Sequence, residues 1–211
     1  MDENIRRSCI DCGTANCSKM NSTFPAFCPT TDEGNSELIQ EAKSLSLEEE
    51  NQKYLVAAAT VEYDGYCKLT RIEEIVEFAK RIGAKKLGIA TCIGLINESR
   101  TLAKVFRHHG FEVYGIGCKA ACIPKHEVGI PEECETLGVN TCNPILQAKI
   151  LNAEKTDLNV VVGLCVGHDS LFYKYSEAPC TTAVTKDRVL CHNPAAALYA
   201  ADFYYKKKLF P

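Results

Sequence analysis

The stretch Asn159-Val-Val-Val-Gly-Leu-Cys165-Val-Gly-His168-Asp169 constrains the fold more than any other. A run of β-branched residues this short cannot complete a helix, and Gly167 stops it, so it predicts a strand buried on both faces. Leu87-Gly-Ile-Ala-Thr-Cys92 and Phe111-Glu-Val-Tyr-Gly-Ile-Gly-Cys118 repeat the plan, each a short apolar run that finishes on a cysteine. Open parallel sheets bind ligands beyond the carboxyl ends of their strands. Cys92, Cys118 and Cys165, at three such ends, therefore predict a gathered site.

The intervening segments read as helices. Thr70-Arg-Ile-Glu73 has capping-box spacing ahead of the stripe Ile72, Ile75, Val76, Ala79 and Ile82. Leu95, Ser99, Leu102, Ala103 and Phe106 form the inward face of the next helix, which runs to Gly110. Ser46-Leu-Glu-Glu49 suggests a further capping box, before Tyr54, Leu55, Ala58 and Val61. Cys142-Asn143-Pro144 opens a helix through Ile145, Ala148, Ile150 and Leu151, and Cys191-His192-Asn193-Pro194 opens a last one through Leu198, Ala201 and Tyr205. Thr181 to Thr185 reads as a fourth strand. The expected fold is α/β, a three-layer open sheet of about four parallel strands with flanking helices. A Cys-rich segment, residues 1–35, precedes an α/β domain with a helical lead-in, residues 36–211.

Composition narrows the function classes. A net charge of -3 and a pI near 6.0 provide no broad basic surface, so nucleic acid is not an expected partner. Lys206 to Lys208 read as a solvated helix end. The charged start lacks a signal peptide's apolar core, and no apolar run approaches the roughly 20 residues that span a bilayer. The expected location is cytoplasmic, away from membranes. There, 13 cysteines point to metal binding or catalysis rather than disulfides. Cys67, Cys122 and Cys134 are expected to be small buried hydrophobes.

Residues 1–30 carry Cys9, Cys12, Cys17 and Cys28 with little apolar periodicity between them. Such a segment needs something other than a core to offset its ordering entropy. Four thiolates suit tetrahedral zinc or an iron–sulfur cluster, and the C-x2-C-x4-C spacing with a terminal Cys-Pro leans toward the cluster. In the α/β region Cys92, Cys118, Cys142 and Cys165 form a second candidate set. Cys142 and His192 are placed just outside helix N-termini, where a thiol pKa falls. Lys186 and Arg188 are candidates to hold a small anionic substrate or to offset a cluster's charge. Asp187 would orient one of them or His192. The long segment between Cys118 and Cys142 reads as a wall over the site, with His126 a surface histidine.

The motifs Gly163-Leu-Cys165-Val-Gly-His168-Asp169, Cys142-Asn-Pro-Ile, Lys186-Asp-Arg188 and His192-Asn-Pro194, with the N-terminal cysteines, resemble a family of unknown function labelled metal-binding. Its members come chiefly from anaerobic bacteria and methanogens. The resemblance spans nearly the whole chain and implies metal or cluster binding in an anaerobe's cytoplasm, with no reaction attached. Cys180 and Cys191 fall where that pattern does not demand cysteine.

The leading expectation is an iron–sulfur protein, [4Fe–4S] in type, with redox or sulfur-transfer chemistry and a redox partner. His168, Asp169 and Lys186 would handle protons and anions. One alternative is an enzyme with Cys165 as nucleophile, His168 as its base, and zinc at the N-terminal four cysteines. Another is a non-enzymatic metal-sensing or delivery module. Sequence leaves enzyme or binding module open, and with it the oligomeric state.

Overall fold

The structure is a computed structural model and describes residues 6–19 and 23–211. The charged beginning, residues 1–5, on which the expectation of no signal peptide partly rests, lies outside the described residues. Contacts group the chain into two units, Met1–Val56 and Ala57–Pro211.

In the first unit, single helical turns at Cys9–Asp11, Asn16–Ser18 and Glu33–Asn35 lead to α1 (Ser36–Ser46). α2 follows over Glu49–Gly65, with its first residues to Val56 in this unit and the rest in the second. The Ser46-to-Glu49 spacing does not build a capping box, because Ser46 closes α1 and its hydroxyl donates 2.7 Å to the Ala42 carbonyl. The buried stripe of α2 is Ala57, Val61 and Gly65, rotated from the one read through Leu55 and Ala58. Small residues at both ends of that stripe allow close approach, as where Leu69 packs over Gly65.

In the second unit, α3 (Arg71–Arg81) starts on the expected capping box. Thr70 Oγ1 accepts the Glu73 N–H at 3.4 Å, and the Glu73 carboxylate accepts the Thr70 N–H at 2.7 Å. Ile75, Val76, Ala79 and Ile82 are buried beneath it. Thr70→Ala is expected to cost about 1 kcal/mol of stability, measured by urea unfolding. The Thr70 N–H and hydroxyl, each donating to the Glu73 carboxylate at 2.7 Å, hold that carboxyl below its ordinary value. Its contribution is therefore present above the unfolded pKa and is lost as pH falls through the lower folded one.

The strands are β1 (Lys86–Thr91), β2 (Glu112–Gly117), β3 (Leu158–Val162) and β4 (Cys180–Val184). They form one parallel sheet in the order β2-β1-β3-β4. α4 (Ile96–His108) joins β1 to β2, α5 (Pro144–Ala153) joins β2 to β3, and α6 (His168–Tyr175) joins β3 to β4. Side chains alternate across the pleat. Ala90 and Val161 pack against Ala148, Leu151 and Phe172 of α5 and α6. The opposite face turns toward α4, where Ser99 Oγ donates to Thr91 Oγ1 at 2.6 Å. Helices thus cover both faces, giving three layers. Because the chain leaves β1 first for β2 and later for β3 on the other side, the strand order switches between β1 and β3. That switch opens a crevice at the carboxyl edge.

Three expectations fail locally. Cys67, Cys122 and Cys134 are exposed rather than buried. Cys67 and Cys122 occupy left-handed turn positions, φ 55° and 52°, whose backbone groups need water, and Cys134 sits in a two-turn 3-10 helix (Glu132–Leu137) with three glutamates. The last helix breaks into α7 (Ala195–Tyr199) and α8 (Lys206–Leu209), and the Asn193 side chain does not cap it. Left-handed Cys191 and His192, φ 51° and 65°, commit that entry to a turn built on Asp187. On α5 the buried face is Pro144, Gln147, Ala148 and Leu151, while Ile145 is exposed. Among the described residues no helix is long and apolar enough to cross a membrane.

Candidate functional site

In the N-terminal unit, Cys9, Cys12, Cys17 and Cys28 line one cavity of about 110 Å³, walled by Phe24, Pro25, Phe27 and Pro29. Local turns bring the sulfurs there. The Ser8 N–H donates to the Asp11 carboxylate at 2.7 Å and fixes the turn between Cys9 and Cys12, and left-handed Ala15 (φ 46°) turns the chain toward Cys17. Cys12 Sγ lies 3.5 Å from Thr14 Oγ1, and this hydrogen bond, with those of the Thr14 and Ala15 backbone, lowers the thiol pKa.

The carboxyl edge of the sheet gathers a second set. Cys92 follows β1, Cys118 follows β2, and Cys142 precedes α5. Cys118 Sγ and Cys142 Sγ stand 3.6 Å apart, and Cys118 also shares a hydrogen bond with Cys92. Backbone contacts fix this meeting. The Cys118 N–H donates to the Thr91 carbonyl at 2.9 Å, and the Asn143 N–H reaches back to the Cys118 carbonyl at 2.7 Å. Asn143 Oδ1 meanwhile caps α5 through the Leu146 N–H, so one residue ties the helix start to the end of β2. Gln147, fully buried, donates Nε2 to the carbonyls of Thr91 (3.1 Å) and Ile116 (2.7 Å), clamping the two strand ends together. Its Oε1 has no partner among the described residues.

Charge divides the three thiols unequally. Cys92, hydrogen-bonded to Cys118 and facing Lys186, is lowered to about 5. Cys142, hydrogen-bonded to Cys118 and then to His168, with Lys119 nearby, is lowered to about 4. Cys118 is raised by its hydrogen bonds with Cys142 and Cys92 and by burial. Cys118 stands between the other two thiols, and its sulfur also accepts the Ile93 N–H at 3.3 Å. His168 is raised by the hydrogen bond to Cys142, which favours its charged form beside that sulfur. Thiolates are the reactive form, and their fraction falls only when pH drops through the folded pKa. Alkylation of Cys142 in metal-free protein should therefore hold near its plateau rate down to about pH 5, where an ordinary thiol loses about tenfold per unit. Peptide mapping after brief iodoacetamide exposure checks this. Cys180, raised by burial, should label late.

The other sequence candidates fall around this trio in different ways. Among the described residues Cys165 shares no hydrogen bond with the three thiols, and the His168 side chain bonds Cys142 rather than Cys165, the nucleophile of the alternative reading. Gly167, φ 83°, turns the chain so that Cys165 offers its carbonyl to the His168 and Asp169 N–H groups (2.9 and 3.1 Å). Its Sγ instead accepts from Arg188 Nη2 at 2.9 Å. Asp169 Oδ1 accepts the Ser170 N–H, a local role. Asp187 Oδ1 accepts the N–H groups of Val189 and Leu190, and its own N–H donates to His192 Nδ1 at 3.1 Å. That turn holds Lys186 and Arg188 on the side of the thiols. Gly163 makes room for it: its φ is 59°, and a Cβ there would lie 2.1 Å from Leu95 Cδ1 and 3.4 Å from Lys186 Cε.

Sequence reasoning missed Lys119 and Gln147. A glutamine within the otherwise apolar turn of α5 was the signal for the second; nothing local marked the first. Among the described residues no group of three or more His, Cys, Asp and Glu side chains is arranged to hold a single metal ion as it stands.

Residues 28–183 match the family described as "Protein of unknown function (DUF1847)". An uncharacterized protein of Methanocaldococcus jannaschii is 46% identical over 193 residues, 92% of this chain and 97% of that one. Two crystal structures of Dph2 from Pyrococcus horikoshii, one with a 4Fe-4S cluster, are 19% and 22% identical, with TM-scores of 0.35 and 0.34. They cover 65% and 64% of this chain, which spans 32% of theirs, about a third. A likeness this low says nothing about chemistry.

Proposed function

The chain belongs to this family of unknown function, which supplies no reaction to borrow, and we propose from its own geometry that it is an iron–sulfur protein with an anion-binding reactive centre. The contact that carries the reading is that of Cys118 with Cys142, 3.6 Å, together with the Cys118–Cys92 hydrogen bond. Three sulfurs from three separate elements meet where an open parallel sheet binds ligands.

The donor set fits such a group. Sulfur-only donors select soft thiophilic metals and iron–sulfur clusters over hard cations. Two of the thiols are already favoured as thiolates, the form that binds metal. Lys119, Lys186 and His168 oppose the negative charge that thiolate-bound iron carries. Cys92, Cys118 and Cys142 would hold the cluster, leaving one position free for substrate. Cys9, Cys12, Cys17 and Cys28, in their apolar cavity, would hold a second. A cluster with an open position supplies a Lewis acid or an electron relay.

The chain's own residues do the rest. Lys186, beside Cys92, and Arg188, beside Cys165, can hold a small anion, with the Asp187–His192 turn orienting both. His168 keeps a proton on its imidazole next to Cys142. Protein purified without oxygen should be brown and contain iron and acid-labile sulfide, and Cys9→Ser with Cys12→Ser should remove only part of both. A colourless protein without sulfide after anaerobic reconstitution would sink the proposal.

One observation favours a second reading. The Cys142–His168 pair is the arrangement of a cysteine nucleophile with its acid–base partner. In that case a single Cys142 adduct would abolish turnover in protein free of iron.

A further inference from the structure

β2 is an edge strand of the sheet. The Glu112 N–H donates to the Lys85 carbonyl and the Cys118 N–H to the Thr91 carbonyl, both at 2.9 Å. In a parallel ladder the even-numbered residues therefore face β1, while Val113, Gly115 and Gly117 turn their backbone groups outward. Among the described residues nothing takes the N–H groups of these three. The Val113 carbonyl accepts from Arg107 Nη2 at 3.3 Å and that of Gly117 from the Ala120 N–H, while that of Gly115 has no partner.

The side chains of these outward-bonding residues lie on the α4 face of the sheet. Two of them are glycines, so the space a pair of side chains would fill stays open as a groove of about 390 Å³, floored by Ile89 and Thr91. Its wall is α4, which contributes Arg100, Lys104 and Arg107 about one turn apart, and no carboxylate lines it. Arg100 gives an N–H to Asn97 Oδ1, Arg107 one to Val113, and none of the three cations forms an ion pair among the described residues.

An exposed strand edge is a template for pairing with another chain. We propose that β2 docks an extended acidic segment of a partner protein, added as a fifth strand. Its main chain would pair with Val113, Gly115 and Gly117, and alternate carboxylate side chains would enter the groove toward α4. A second copy of this chain fits less well, because its own three cations would face these. The inference is independent of the thiol centre, although Cys118 directly follows the strand it extends.

The test uses full-length protein and a fluorescent synthetic peptide alternating valine and glutamate, with binding read by anisotropy at low salt. Three controls accompany it: a peptide with lysine for glutamate, a peptide N-methylated along one edge, and an Arg100→Glu/Lys104→Glu variant of the protein. The glutamate peptide should bind and weaken with added salt, and each control should bind about tenfold or more weakly. Equal binding of the N-methylated peptide would show charge attraction without strand addition and overturn the proposal. So would equal binding of the lysine peptide, no binding of the glutamate peptide, or sedimentation showing a dimer that the double variant strengthens. Circular dichroism and iron content of the variant should match the parent, since its changes lie on the outer face of α4.

Discussion

Cys118→Ser, purified without oxygen, is expected to lose the cluster proposed for the α/β unit and to keep the one proposed at the N-terminal cysteines. Cys118 is the sulfur that hydrogen-bonds with both other thiols, and its raised pKa means that metal binding there must release its proton to solvent. Changes to residues that merely support metal ligands cost about 10–100-fold in affinity. Loss of the central ligand should exceed that. Iron and sulfide should fall together, with the remaining visible absorption removed by a further Cys9→Ser/Cys12→Ser change. Serine differs by one atom, and Cys118 is only 3% exposed, so thermal melting separates lost ligation from lost folding. If Cys118→Ser binds as much iron as the parent, the three-sulfur centre does not exist. Samples handled in air can exchange iron for zinc at the same thiolates, so the comparison holds only between anaerobic preparations.

The largest stability loss is expected from Gly88→Ala in β1. A Cβ there would lie 2.0 Å from Asn159 Oδ1 and 3.0 Å from Leu151 Cδ1. Asn159 is fully buried in β3 and cannot simply retreat. Its Oδ1 accepts from Thr156 Oγ1 and its Nδ2 donates to Ser176 Oγ, each at 2.8 Å, and Ser176 Oγ donates in turn to the Ala178 carbonyl. Overpacking costs about 1–3 kcal/mol and a stranded buried polar group about 1–3 more. A combined loss of about 3–5 kcal/mol would lower the melting temperature by about 10 °C or more. Adding Asn159→Ala should recover part of that loss, because the two changes share one contact. An unchanged melting temperature for Gly88→Ala would mean that β1 and β3 do not pair in this register.

Much of the sheet was legible because its signals are local. The β-branched run at Val160 to Val162, the Thr70 cap and the Asn143-Pro144 start each act within a few residues. Four strands, their parallel sense and the cysteines at three of their ends followed from such signals. The C-terminal helix was misread because Asn193-Pro194 has the right letters, while the two left-handed residues before it bind the chain into the Asp187 turn. Cys67, Cys122 and Cys134 were misread because burial belongs to a position, and turn positions need water whatever side chain they carry.

The sequence by itself determined which segments became strands and that thiols would stand at their carboxyl ends, since short-range sterics and apolar patterning decide both. Only the tertiary structure decided which thiols meet. Cys142 comes from beyond a loop of more than 20 residues and reaches Cys118 through the Asn143 backbone. His168, three residues from Cys165, faces Cys142 instead, because the positive φ of Gly167 turns the helix start away. Packing distances between elements far apart in the chain settle such pairings, and no local pattern encodes them.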